Sequence, residues 1–267
     1  MKKIIYCIMA LIATVASLSL FTINLSASDI DDTIVLASKN SYVFKTYLKN
    51  DDIQVKSYDG VVTLTGTVSE ESSKALAEET VASLNGVKSV DNKLEIKGKV
   101  PDAYSDAWLI TKVKTTLLFH RNVNAITTEI LSEDGTVTLR GKADSEAQKS
   151  LTTEYVMDVE GVKVVKNEMT VLSAEIKPST KTIGQKVDAM NEFIDDASIT
   201  ALVKTALLYH RSTSSLKIAV ETKEGVVTLM GNANNAAEKD LITKLAADVN
   251  GVKDVVNNME VISPKAS

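Results

Sequence analysis

Cysteine, histidine and tryptophan are almost absent from this chain of 267 residues. Cys7 is the only cysteine and sits in the apolar N-terminal stretch, so everything downstream is without disulfides, Cys-based metal sites or thiol chemistry. Two histidines, His120 and His210, leave little material for a metal centre or a catalytic triad. No Ser/His/Asp set, paired-carboxylate motif, phosphate loop or metal-ligand spacing occurs, so neither an enzyme nor a cofactor is expected. After the N-terminal stretch no apolar run approaches membrane-spanning length. Positive charge is also in short supply: 30 basic against 35 acidic residues give a net charge of −5, a diffuse acidic balance that argues against a nucleic-acid partner.

The N-terminus carries Lys2-Lys3, an apolar stretch over residues 4–20 and the small residues Ser26-Ala27-Ser28 before Asp29. That order predicts a secretory signal peptide over residues 1–28, cleaved near residue 27 or 28, with an uncleaved membrane anchor as the rival. Cys7 has too few residues before it for a lipoprotein signal. The expected location is the periplasm. Without those residues the balance is 28 basic against 35 acidic, a charge of −7.

What the chain does have is a cassette repeated three times. Gly60-Val61-Val62-Thr63-Leu64-Thr65-Gly66 recurs as Gly135-Thr136-Val137-Thr138-Leu139-Arg140-Gly141 and as Gly225-Val226-Val227-Thr228-Leu229-Met230-Gly231. Each is followed at fixed spacing by Gly-Val-Lys (from Gly86, Gly161 and Gly251) and then by Asn92, Asn167 or Asn257. Fixed spacing in three copies means three similar small modules.

Within a module, Leu109, Val113 and Leu117 mark one apolar helical stripe after Asp106, matched by Ile199, Val203 and Leu207 after Asp196. The first module offers Val43, Tyr47 and Leu48, with a loop about five residues shorter before its first strand. Asp59-Gly60, Asp134-Gly135 and Glu224-Gly225 predict hairpin turns. The strand after each turn points Val and Leu inward and Thr outward. A second helix follows, capped by Ser69, Ser145 or Asn235 and ended by Gly86, Gly161 or Gly251. A last strand closes the unit.

The predicted fold class is α+β: three tandem αββαβ modules, each a three-stranded mixed sheet packed on two helices around its own core. The modules span residues 38–97, 104–173 and 195–263. Residues 174–194 form a linker and a connector helix, the latter read from the spacing of Ile183, Val187, Met190 and Ile194.

The strand motif, the capped helix, the Gly-Val-Lys turn and the following asparagine resemble the BON domain family over nearly all of the three modules. The resemblance implies a non-enzymatic protein attached to phospholipid membranes or to envelope partners, associated with osmotic stress and envelope integrity. A protein-interaction scaffold or chaperone-like module without lipid contact is the alternative. No catalytic residue and no metal ligand carries over.

For a lipid surface the candidate residues are Trp108, Lys112, Lys114, His120 and Arg121: an aromatic ring beside cations at a helix that ends in His-Arg. The structural reading of His120-Arg121 and His210-Arg211 is that cations oppose the negative end of their own helix. Gly66, Gly141 and Gly231 suggest close backbone approach, and the three asparagines a turn feeding a strand.

Overall fold

The computed structural model describes residues 27–98, 101–123, 125, 127–171, 194–213 and 217–262. The expected signal peptide therefore lies almost wholly outside the described residues. So does the linker and connector helix, of which only Ile194 is described.

Module 1 comprises α1 (Ala27–Asn40), α2 (Tyr42–Thr46), β1 (Asp52–Tyr58), β2 (Val61–Val68), α3 (Glu71–Ala82) and β3 (Ser89–Ile96). Module 2 comprises α4 (Asp106–Phe119), β4 (Glu129–Glu133), β5 (Thr136–Arg140), β6 (Lys142–Ala143), α5 (Glu146–Met157), β7 (Val164–Asn167) and β8 (Thr170–Val171). Module 3 comprises α6 (Asp196–Tyr209), β9 (Ile218–Lys223), β10 (Val226–Ala233), α7 (Ala236–Ala247), β11 (Asp254–Asn257) and β12 (Glu260–Val261). In each, the cassette strand is central, antiparallel to the strand before it and parallel to the one after the second helix. The hairpin residues Asp59-Gly60, Asp134-Gly135 and Glu224-Gly225 all have positive φ, the backbone of a tight two-residue turn.

Val62 and Leu64, Val137 and Leu139, and Val227 and Leu229 are fully buried, while the threonines between them face outward. An added Cβ at Gly141 or Gly231 would stand 2.5 Å from a carbonyl of the neighbouring strand, so the glycines serve close backbone approach. The asparagines bond the backbone two residues on, as expected, and also tie the strand to the second helix. Each amide spans from the edge strand to the second helix: Asn167 donates to Lys149 O and Thr153 Oγ1, and accepts from Met169 N–H, with the same pattern at Asn257.

Module 1 departs from expectation at its start. Its first helix begins at Ala27, not near residue 38, and is set by Asp31, twenty-nine residues before the turn glycine as Asp106 and Asp196 are. The loop before β1 is shorter, as expected (residues 47–51, against 120–128 between α4 and β4), although the spacing from Asp31 to the turn glycine is unchanged; the helix breaks at Asn40-Ser41 and resumes as α2, capped by Ser41 Oγ. Equivalent positions follow from the turn glycines, so Lys45-Thr46 stands where modules 2 and 3 have His-Arg. Two caps also shift by one residue: Ser105 and Asp195 cap α4 and α6, and Glu70 precedes α3 without a side-chain cap, so Ser69 plays no such part.

The displaced aspartates tie helix to hairpin. Asp31 accepts from Ser57 Oγ, Asp59 N–H and Gly60 N–H, and Asp196 from Glu224 N–H and Gly225 N–H. The Ser57 hydroxyl first, then the Gly60 and Asp59 amides, hold the Asp31 carboxyl below the usual carboxylate range. A depressed folded pKa contributes stability that is present above the unfolded value of about 3.9 and lost as pH falls through the folded value. Asp31→Asn is thus expected to lose less melting temperature than the parent between about pH 5 and pH 2; calorimetry at both ends checks it.

The expectation of three separate cores is corrected. Modules 1 and 3 share one continuous apolar core, which Phe119 of module 2 enters, while the remainder of module 2 packs on its own. Helix α3 of module 1 lies along α6 of module 3, with Lys204 Nζ 2.8 Å from Glu79. Asp195 and Ser198 of α6 accept the N–H groups of Tyr42 and Val43, which begin α2. Helices therefore meet between modules.

Candidate functional site

The His-Arg pairs join modules 2 and 3. Arg121 N–H donates to Asp248 O, and Phe119 O accepts from Asn250 N–H, so the end of α4 forms an antiparallel bridge with the segment after α7. Reciprocally, Arg211 N–H donates to Asp158 O and His210 bridges Val159. The guanidinium of Arg121 donates to the carbonyls of Ala247, Val249 (3.0 Å) and Val252 (2.8 Å); that of Arg211 donates to those of Met157 and Val159 (3.0 Å). These are the orphan carbonyls and the negative dipole end that finish a helix. Each arginine thus caps the second helix of the other module, not its own helix. The two modules are related by a pseudo-twofold exchange of the same parts.

The histidines sit inside this junction. His120 is 4% exposed, its Nδ1 3.3 Å from the Asp248 carboxylate and its ring stacked 3.8 Å from that of Tyr155. Asp248 also accepts from the Tyr155 hydroxyl and the Asn122 amide. On the other side His210 Nε2 lies 3.4 Å from Asp158, whose carboxyl His210 holds below its usual range.

Sequence reasoning grouped Trp108, Lys112, Lys114, His120 and Arg121 as one surface, and the structure divides them. His120 is buried and Arg121 is engaged by carbonyls. Lys112 is half-buried, its Nζ 3.8 Å from the Tyr209 ring centroid and 5.0 Å from that of Trp108, and burial lowers its pKa. Tyr209, facing it, is pushed up to about 12 by burial and by the acids Glu71 and Glu70. Trp108 is half-buried against module 2, its ring 5.0 Å from that of exposed Tyr104, whose hydroxyl donates to Glu160. Only Lys114 stands free on the exposed side of α4.

What reasoning from sequence missed were the acceptors. Main-chain carbonyls carry no residue signature, but their companions do: Asp158 and Asp248 occur only in the two modules that carry His-Arg, and module 1 has Ser83 and Lys45-Thr46 at those places. Among the described residues no cluster of His, Cys, Asp and Glu suits a metal ion, and no helix is long and apolar enough to cross a membrane.

Comparison with known proteins agrees with the repeat. Residues 30–98, 105–173 and 195–263 each match the BON domain. The chain is 28% identical over 199 residues to "Osmotically-inducible protein Y" of Escherichia coli, spanning 74% of this chain and 92% of that protein. It is 28% identical over 138 residues to "Outer membrane lipoprotein DolP" of Haemophilus influenzae, spanning 51% and 71%. It is 33% identical over 117 residues to a "21 kDa hemolysin" of Actinobacillus pleuropneumoniae, spanning 43% and 60%. With the cassette, the αββαβ units and all three matches in register, the chain belongs to the BON domain family.

Proposed function

We propose that this is a non-enzymatic protein of the cell envelope, of the osmotic-stress class its E. coli relative's name denotes, and that its three modules work as one body that binds proteins. The observation that carries the reading is where the charge and the apolar surface go. Of the cations offered for a lipid headgroup, Arg121 is spent on a helix end and Lys112 between rings, and only Lys114 stays exposed; Arg211 serves the equivalent helix end. The outward sheet faces carry threonine along each central strand and ion pairs such as Arg140–Glu168 at 2.8 Å, with exposed Tyr58, Val61, Leu131, Val164 and Val256 scattered among them. Such a surface suits polar, directional contact with a protein more than insertion into lipid.

A second reading, peripheral attachment to phospholipid, is favoured by one feature: Tyr104, Trp108 and exposed Lys114 at the same helix. Glu160 beside Tyr104 and the overall charge of −5 oppose it on an anionic bilayer. Flotation of the purified chain with vesicles of phosphatidylglycerol and phosphatidylethanolamine at low salt separates the two. The protein is expected to stay at the bottom of the gradient. Flotation that is abolished by Trp108→Ala/Lys114→Glu would replace the protein-binding reading by the lipid one.

A further inference from the structure

The repeat assigns a role to the end of α3. In modules 2 and 3 the segment after the second helix, residues 157–162 and 247–252, receives an arginine and a short extended backbone from another module. The same segment of module 1 is residues 82–87, with the same left-handed glycine three residues past the C-cap (Gly86, φ 90°) and a C-cap residue, Ser83, with the αR backbone of Asp158 and Asp248. Its carbonyls at Ala82, Leu84 and Val87 correspond to those of Ala247, Val249 and Val252 that hold Arg121.

This segment opens onto a cleft of about 980 Å³ between modules 1 and 3, with residues 82–85 on one wall and Asp195, Asp196, Glu221, Lys204 and Lys223 on the other. Lys204 is paired with Glu79 and Lys223 offsets one of the acids, so the attraction for a cation comes from the C-terminal carbonyls and negative dipole end of α3. The chain cannot supply the arginine itself. Arg121, Arg140 and Arg211 are its only arginines in all 267 residues; two fasten the module junction and Arg140 pairs with Glu168. A second copy offers nothing more.

We infer that residues 82–87 and the adjoining cleft are a docking site for an arginine-bearing extended segment of a different protein, which lays its backbone against Ser83 and Asn85 and its guanidinium into the α3 carbonyls as Arg121 does at α7. Arginine fits over lysine because it is the side chain that fills both equivalent segments, its weakly hydrated guanidinium bringing Nη2 to the carbonyls. The site rests on the protein-binding reading; the vesicle experiment tests that reading and the peptide titration tests the site, so the two failures are distinguishable.

The test uses the full chain, isotope-labelled, titrated with a soluble peptide containing Phe-His-Arg-Asn and followed by amide chemical shifts. Shifts are expected at residues 82–87 and along the cleft wall. Replacing the peptide's arginine by alanine should weaken binding at least tenfold. Ser83→Asp, which restores the acid of modules 2 and 3, should tighten it at least threefold, and Glu221→Lys should weaken it at least fivefold. Shifts confined to residues 157–162 and 247–252, the absence of shifts, or equal binding of free arginine would each overturn the site.

Discussion

Arg121→Ala/Arg211→Ala is expected to unfasten module 2 from module 3 and to split a single melting transition into two. Each guanidinium donates to two or three carbonyls of the other module, and hydrogen bonds involving a charged group contribute about 1.5–3 kcal/mol. Both arginines are exposed over much of their length, which places the loss for the pair at about 2–4 kcal/mol, towards the low end of that range per residue. Because the two halves of the junction hold the same pair of surfaces together, the double variant should lose more than the single variants added. Lysine at both positions should rescue only in part: one nitrogen, Nη2, makes all of these contacts, but an ammonium is more strongly hydrated than a guanidinium. An unchanged calorimetric profile for the double variant would contradict the account.

Leu139→Ala and Leu229→Ala should each cost about 2–5 kcal/mol, the range for emptying a buried leucine site. Both side chains are fully buried on the central strand of their modules. Their reach should differ. Leu139 lies in the core of module 2, whereas Leu229 lies in the core that modules 1 and 3 share. Hydrogen exchange should therefore speed up in β2 of module 1 when Leu229 is truncated, and stay nearly constant there when Leu139 is. A melting curve unaltered by either substitution would mean that these strands face the other way.

The module fold was legible because its signals are local. Alternating Val and Leu, turn glycines and capping residues state their geometry within a few positions, and the repeat states it three times. Tertiary placement was legible in part only. The start of α1 was masked because Ala27-Ser28-Asp29 reads both as the end of an export signal and as the first turn of a helix. The constant distance from Asp31, Asp106 and Asp196 to the turn glycine distinguishes the two, since the aspartate binds the hairpin. The His-Arg pairs were recognised as helix-end cations, but the helix they serve belongs to the neighbouring module, and helix dipoles look alike from either side. The lipid-facing group failed as a surface for the same reason: helical spacing places Lys112, His120 and Arg121 along α4 but says nothing of α6 and α7 lying over them.

Residual dipolar couplings of the backbone amides in the unmodified chain test most directly whether the three modules form one body. The account predicts that a single alignment tensor fits the described amides of residues 27–98, 104–171 and 194–262 together. Separate tensors of different magnitude for the three modules would contradict it.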